Sequence, residues 1–130
     1  MDIRNPEIIV ELHDELIHDF GGEPGILSIN LLLSSLARPF SGTSNGIEFF
    51  PSIEDKSAAL IHSLIQNHPF VDGNKRTAAQ VTKIFLREYN YDWVFGDDEI
   101  VDFVLDIANN LISFLEIKNW ISCRISKLNN

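Results

Sequence analysis

The stretch HPFVDGNKRT, residues 68–77, decides how the rest of the chain is interpreted. It brings a histidine, an acid, a glycine, an amide and two adjacent cations close together. The residue before a proline is pushed out of helical geometry, so Pro69 predicts that a helix ends near Asn67 and that His68 is extended. A further helix is predicted to begin near Asn74. The stretch therefore predicts a loop that joins two helices.

The second half of this stretch has the pattern of an anion site. A glycine before the first turn of a helix leaves backbone N–H groups that, with the helix dipole, attract an anion. Gly73 allows a phosphate to come close because it has no Cβ, and Asn74 adds an amide donor. Lys75 and Arg76 add positive charge where cations destabilise a helix by a few tenths to about 1 kcal/mol each. Their position therefore indicates a bound anion.

The first half supplies groups for chemistry beside such an anion. Asp72 can cap the helix, or it can be an oxygen ligand of Mg²⁺, which prefers one or two carboxylates together with substrate phosphates. His68 lies just ahead of the phosphate cradle and can take a proton from an incoming hydroxyl, which is typically worth about 10²–10⁴-fold in rate. Phe70 is expected to point into the core and anchor the loop. A loop histidine near a capping acid is also common without catalysis, so these residues alone leave both interpretations open.

Helical spacing of apolar residues covers most of the remaining chain. Signals for helix starts occur at Asn5-Pro6, Ser28, Ser52 with Asp55, Asp97 or Asp98, and Ser113 with Glu116. With the helix from Asn74 this predicts an all-α fold of about six helices in one domain, residues 1–130. The helix from Asn74 is expected to be the most buried, and the last helix is expected to continue through Ile125 and Leu128. His13 is expected to make a structural hydrogen bond.

Residues 40–50 interrupt the helical pattern. They are rich in turn-forming residues, and Asn45-Gly46 is typical of a type I′ hairpin turn. We expect a mobile loop or short hairpin near 40–50. It is either a plain connector or a flap that pairs with an extended segment of a target protein by strand addition.

The composition limits the possible partners. The chain has 130 residues, of which 45% are hydrophobic, so one sizeable core is possible. Its formal net charge of −9 argues against direct binding of nucleic acid, which needs a basic face. No apolar run is long enough for a membrane span, and the start lacks the pattern of a signal peptide. The one cysteine, Cys123, suits a reducing compartment, so we expect a cytoplasmic protein without membrane contact.

The stretch from His68 resembles the Fic-domain signature HxFx(D/E)GN(G/K)R. Its lysine form, followed by Thr77-Ala78, is similar to the death-on-curing (Doc) branch of that family, whose members are toxins of toxin–antitoxin pairs. Residues 13–17, 20–25, 37–39 and 85–86 also resemble the family at the expected spacings. The similarity extends over roughly residues 7 to 115.

The resemblance implies a Fic/Doc-type helical bundle with the motif between two central helices. It implies a nucleoside triphosphate such as ATP and Mg²⁺ as cosubstrates, and a hydroxyl side chain of a protein as acceptor. By position, His68 would be the general base and Asp72 would hold Mg²⁺. The residues that would cradle the phosphates are Gly73, Asn74, Lys75 and Arg76.

Two departures from the wider family favour one reaction. Most Fic enzymes that attach AMP have glycine at the position of Lys75 and a second arginine at the position of Ala79. In Doc-type members the lysine goes with a reversed nucleotide, so that the γ-phosphate is transferred as by a protein kinase. The implied target is elongation factor Tu, and the implied outcome is arrest of translation. Transfer of a nucleotide, and a non-catalytic interaction module, remain the alternatives.

The resemblance also implies a partner that restrains the toxin. Many Fic proteins carry an inhibitory helix with the motif [S/T]xxxE[G/N]. Residues 44–49 match it only in part and lie in the expected flap, so we interpret this match as chance. Restraint is therefore expected from a separate small antitoxin protein.

Overall fold

A computed structural model of the chain describes residues 2–129 and contains six α-helices and one small sheet within them. The helices are α1 (Pro6–Phe20), α2 (Ile29–Ala37), α3 (Ile53–Asn67), α4 (Asn74–Glu88), α5 (Asp97–Ala108) and α6 (Phe114–Ser122). A single 3₁₀ turn, Arg38–Phe40, follows α2. The strands are β1 (Tyr91–Trp93) and β2 (Ile125–Lys127), which pair antiparallel. The all-α class predicted from the sequence is confirmed.

Most helices begin where the capping residues predict. The side chains of Asn5 and Ser28 accept the N–H groups of Glu7 and Leu31, and Pro6 is the first residue of α1. Complete capping boxes start α3 and α6, at Ser52 and Ser113. The prediction for α5 was wrong in detail, because its cap is Gly96 rather than an aspartate, and the Gly96 N–H donates to the Glu99 carboxylate at 2.8 Å.

Helix α3 lies at the centre of the fold and packs against α2, α4, α5 and α6. Nine of its 15 residues are buried, against seven of 15 in α4. The prediction that α4 is the most buried helix was therefore wrong. The small residues Ala58 and Ala59 have no solvent exposure and let neighbouring helices approach α3 closely. Helix α4 instead keeps Arg76 and Gln80 on an exposed face.

The end of the chain departs from the helical prediction. Helix α6 stops at Ser122, and Ile125–Lys127 pairs with Tyr91–Trp93 in the register Trp93↔Ile125. Trp93 is fully buried beside this pairing, so the strand completes the core on that side. Helical spacing within the last residues could not reveal a partner that lies more than 30 residues earlier in the chain.

Residues 40–50 form a short hairpin, which is one of the two alternatives that the sequence predicts. Gly42 and Glu48 make an isolated antiparallel bridge, and the Thr43 N–H donates to the Ile47 carbonyl at 2.8 Å. The type I′ turn was wrong, because Gly46 has a positive φ of 87° and Asn45 does not. The Lys56 ammonium of α3 donates to the Glu48 carboxylate at 2.8 Å and to the Phe50 carbonyl, which ties the hairpin to the central helix.

Within residues 2–129, no helix is both long and apolar enough to cross a membrane.

Candidate phosphate-binding and catalytic site

His68 lies between the two central helices in an unusual backbone conformation. Helix α3 ends at Asn67, as Pro69 predicts, but His68 adopts the left-handed conformation with φ 48° and ψ 58°. The extended geometry expected for it was therefore wrong. A non-glycine residue held there costs on the order of 1–3 kcal/mol and persists only when its surroundings impose it. The imidazole itself is exposed.

The surroundings that impose this conformation come from the segment before α2. The Pro69 carbonyl accepts the N–H groups of Leu27 and Ser28 at 2.8 and 3.1 Å. The Val71 N–H donates to the Gly25 carbonyl at 3.0 Å, and Ile26 and Phe70 form an antiparallel bridge. The loop after His68 is thus paired like a strand on both sides of Phe70, and this pairing fixes the direction in which the histidine leaves α3.

Asn74 braces the same loop from the other side. Its Oδ1 accepts the Phe70 N–H at 3.0 Å, and its Nδ2 donates to the Phe70 carbonyl at 2.9 Å. The asparagine is buried, so its side-chain amide is engaged in holding the loop. A phosphate contact from Asn74 would therefore come from its backbone N–H, which lies in the first turn of α4.

His13 of α1 makes the structural hydrogen bond that the sequence predicts. Its Nε2 lies 2.7 Å from the Asp72 carbonyl oxygen, and since a carbonyl only accepts, Nε2 carries the hydrogen. The imidazole is 1% exposed and stacks on the Phe70 ring with 3.8 Å between ring centres. His13 therefore ties α1 to the backbone that carries the Asp72 carboxylate.

The Asp72 carboxylate is exposed and is oriented by two backbone donors. Oδ1 accepts the Gly73 N–H at 2.8 Å, and Oδ2 accepts the Glu23 N–H at 3.1 Å. These hydrogen bonds, with a smaller effect of the Lys75 charge, hold the pKa of Asp72 below its usual value. The carboxylate is therefore ionised at neutral pH, and each oxygen keeps a free lone pair.

Gly22 belongs to the site, although it lies outside the stretch 68–77 from which the site was predicted. A Cβ at Gly22 would lie 2.8 Å from Asp72 Oδ2, and the φ of +117° there favours glycine. A side chain at this position would displace the carboxylate. The signal that could have revealed Gly22 and Glu23 is the similarity of residues 20–25 to the family, which indicates a role beyond ending a helix.

The start of α4 leaves its backbone donors available. Its cap is Gly73, with φ 73°, and among residues 2–129 no side chain caps it. Lys75 is half-buried and Arg76 is exposed beside these N–H groups. The Arg76 guanidinium lies 4.3 Å from the centre of the Phe20 ring of α1. Free N–H groups and two cations at one helix end form an arrangement that binds phosphate.

The donors near Asp72 fit Mg²⁺. Over the part of the chain that the structure describes, no group of three or more His, Cys, Asp or Glu residues could enclose a metal ion. A single exposed carboxylate suits Mg²⁺, which keeps several waters and takes its other ligands from substrate phosphates.

A groove of about 380 Å³ opens between α4 and α5 next to the two cations. Ala79, Ile100 and Val104 line it with apolar surface, and Lys75 and Arg76 lie at its edge. An arginine in place of Ala79 would extend into this groove. The small Ala79 side chain leaves the groove open. Lys75, rather than residue 79, therefore provides the cation beside Arg76.

Together the fold and the site define a helical domain with a candidate anion site, formed by a loop and a helix start, and a histidine at its edge. The model of the Fic/DOC family matches residues 4–86. The chain is 39% identical over 94 residues to Toxin Doc of Mycolicibacterium smegmatis (strain ATCC 700084 / mc(2)155), covering 72% of this chain and 67% of that protein. It is 30% identical over 109 residues to Protein kinase doc of Escherichia phage P1, covering 84% of each.

This chain belongs to the Fic/DOC family. The resemblance to the death-on-curing branch is confirmed, because both of these relatives carry the name Doc.

Proposed function

We propose that this protein is a Doc-type toxin that transfers the γ-phosphate of a nucleoside triphosphate, such as ATP, to a hydroxyl side chain of a target protein. The observation that carries the proposal is the start of α4. Its N–H groups lack a capping side chain within residues 2–129, two cations flank them, and an exposed histidine precedes them. The similarity to a relative named Protein kinase doc supports the same reaction.

The chemistry assigned to His68 is that of a general base. Its exposed imidazole takes the proton of the acceptor hydroxyl as the hydroxyl oxygen bonds to the γ-phosphorus. The bond from that phosphorus to the bridging oxygen breaks, and the nucleoside diphosphate leaves with the electron pair. The proton then passes from His68 to solvent. The pairing of Pro69 with residues 27 and 28 fixes the backbone next to the residue that carries the imidazole.

The phosphates would be bound by Gly73, Asn74, Lys75 and Arg76. The backbone N–H groups of the first turn and the two side-chain cations stabilise the negative charge that the transferred group carries. Asp72 would hold Mg²⁺, which neutralises charge on the phosphate oxygens when it is bound. The hydrogen bonds from the Glu23 and Gly73 N–H groups keep that carboxylate ionised and fix its orientation.

Lys75 favours transfer of phosphate over transfer of a nucleotide. The half-buried Lys75 side chain fills space that glycine would leave open, and it adds a positive charge to the cradle. The open groove beside Ala79 lacks the second arginine of the nucleotide-transferring relatives. Both features support a nucleotide that binds with its γ-phosphate, rather than its α-phosphate, in front of His68.

The proposed target is elongation factor Tu, whose modification in the cytoplasm would arrest translation. The hairpin at residues 40–50 is the proposed docking edge for the target segment, by strand addition. A relative named Toxin Doc supports a small antitoxin protein that restrains this chain in trans. Co-expression with the small open reading frame beside its gene should relieve growth arrest, and continued arrest would count against that partner.

Two differently labelled nucleotides test the reaction. Elongation factor Tu is incubated with the protein, Mg²⁺ and ATP labelled at either the γ- or the α-phosphate. Label from the γ position alone supports phosphate transfer. Label from the α position shows nucleotide transfer and refutes the proposal. No label from either position, with a cell extract as well as the purified factor, would favour a non-catalytic module.

A further inference from the structure

Phe20 is an aromatic side chain whose exposure the core does not explain. It is the last residue of α1, and 63% of its surface is open to solvent. The Arg76 guanidinium lies 4.3 Å from the centre of its ring, within the range of a cation–π interaction. An exposed ring that packs on a motif cation needs a reason other than burial.

The ring is held at a defined place relative to the motif. The two turns of α1 before Phe20 contain His13, which is bonded to the Asp72 carbonyl, and Ile17, whose Cδ1 lies near Gly73. Three residues after Phe20, the Glu23 N–H donates to the Asp72 carboxylate. Contacts before and after Phe20 thus fix the end of α1 against the loop, so the backbone that carries the ring stays close to Arg76.

We infer that Phe20 is a positioning residue for Arg76. Its ring holds the Arg76 guanidinium at the phosphate cradle before phosphate arrives. The guanidinium carbon lies over the face of the ring, whereas a phosphate is bound by the N–H groups at the edge of the guanidinium plane. Stacking and phosphate binding are therefore compatible. This inference rests on the proposed role of Arg76 as a phosphate ligand.

An aromatic ring suits this task better than an acid. A carboxylate near Arg76 would also fix the guanidinium, but it would neutralise the charge that attracts phosphate and would compete for the same N–H groups. The ring restrains the side chain and leaves both charge and donors available. A long arginine that is already ordered loses less freedom on binding, and this raises the affinity for the ligand.

Binding of triphosphate to Phe20 variants tests the inference. Isothermal titration calorimetry with Mg²⁺–ATP, and with inorganic triphosphate and Mg²⁺, compares the parent with Phe20→Leu and Phe20→Trp. Ordering a long side chain on binding costs about 0.5–1.5 kcal/mol, so Phe20→Leu, which loses the pre-ordering of Arg76, should weaken binding about 2- to 13-fold. Phe20→Trp should bind triphosphate as well as the parent, because tryptophan is the strongest cation–π partner. The melting temperature should stay unchanged, since the side chain is exposed.

A double variant separates this role from a general effect on structure. In an Arg76→Ala background, Phe20→Leu should cause no further loss of affinity. The control is Tyr89→Leu, an exposed aromatic residue at the far end of α4, which should bind triphosphate like the parent.

The outcomes also separate this inference from the proposed function. If Arg76→Ala weakens triphosphate binding but Phe20→Leu does not, the inference is wrong and the phosphate cradle stands. It is also wrong if Phe20→Leu weakens binding equally with and without Arg76. If Arg76→Ala leaves binding unchanged, the phosphate cradle itself is refuted.

Discussion

The two central helices are equal in length and pack on each other, yet they begin in opposite ways. At the start of α3, Ser52 Oγ accepts the Asp55 N–H at 3.0 Å, and acidic residues occupy the first turn. At the start of α4 there is a left-handed glycine, no acidic residue in the first turn, and two cations. Among the other α-helices of residues 2–129, α1, α2 and α6 have a side-chain acceptor for an N–H group of the first turn, from Asn5, Ser28 and Ser113. In α5, Glu99 accepts only the N–H of the cap residue Gly96, just as Asp72 accepts that of Gly73 at α4.

The difference separates an end built for stability from an end left open for a ligand. A capping box satisfies backbone donors and adds favourable charge at the positive end of the dipole. Helix α4 has neither the capping box nor the negative charge, and its two cations destabilise the helix when no anion is bound. An incoming phosphate supplies what the sequence omits, namely acceptors for the N–H groups and negative charge for Lys75 and Arg76.

Replacing His68 should have the largest effect on the open end. His68→Ala is expected to lower phosphate transfer by about 10²- to 10⁴-fold, because the acceptor hydroxyl loses its base. The exposed side chain contributes little to the core, so the melting temperature should not fall. Transfer of γ-label to the target measures the effect. His18→Ala, an exposed histidine on α1, is the matched control, and equal activity of the two variants would contradict the assignment.

Replacing Lys75 should sharpen the comparison by changing the charge of the open end. Lys75→Gly is expected to lower γ-label transfer by about 10- to 100-fold, since a hydrogen bond to a charged group contributes about 1.5–3 kcal/mol. Transfer of α-label should also appear, because space for another nucleotide pose opens. Lys75→Met removes the charge but keeps the volume, so it should lose γ-transfer without gaining α-transfer. Unchanged kinase activity in both variants would show that Lys75 does not set the pose.

Replacing the cap of α3 should affect stability alone. Ser52→Ala is expected to lower the free energy of unfolding by about 1 kcal/mol, because the Asp55 N–H loses its acceptor. Urea denaturation measures this change, and Ser52→Thr, which keeps the hydroxyl, should retain most of the stability. Triphosphate affinity should be the same in all three proteins. A loss of affinity in Ser52→Ala would break the distinction between the two helix ends.

The smallest expected effect is that of His62, a residue of α3, on the pH dependence of stability. Burial, and then the nearby Arg38 charge, lower the pKa of His62 from its ordinary value of 6.5. The Arg38 guanidinium donates to His62 Nδ1 at 2.7 Å, which requires that nitrogen to be unprotonated. The unfolded chain therefore binds a proton more readily than the folded one, and stability falls as the pH drops below 6.5.

Denaturation curves of His62→Gln at several pH values test this assignment. Above pH 6.5 the contribution of His62 is fully present in the parent, and it is lost as the pH falls through the lowered pKa. The variant should therefore show a shallower decline in stability below that pH than the parent. An equal decline in both proteins would assign the pH dependence to other groups.

Local signals explain what could be predicted of the fold. Ser52 with Asp55, and Ser113 with Glu116, set helix starts through contacts within one turn, and both were predicted correctly. The strand at Ile125–Lys127 was missed because its partner, Tyr91–Trp93, is distant in sequence. The left-handed conformation of His68 was missed for the same reason, since the pairing of Pro69 with Leu27 overrides the preference of a residue before proline.

The candidate site shows the same difference between local signals and contacts that are distant in sequence. The residues of the motif are contiguous, so a role for each could be proposed from the sequence and from the family resemblance. The groups that orient them, such as the Glu23 N–H on Asp72, come from 49 residues away and follow from the fold alone. Asn74 illustrates the difference, because its side chain was expected to face the phosphate and is engaged with Phe70 instead.

The central claim, that α4 is open for phosphate whereas α3 is closed, can be tested by one titration. Mg²⁺–ATP is added to ¹⁵N-labelled protein, and the backbone amide resonances of both helix starts are followed by NMR. The account predicts saturable shifts for the amides of residues 73–76 and none for residues 54–56 of α3. Absence of shifts at residues 73–76, or equal shifts at both helix starts, would contradict it.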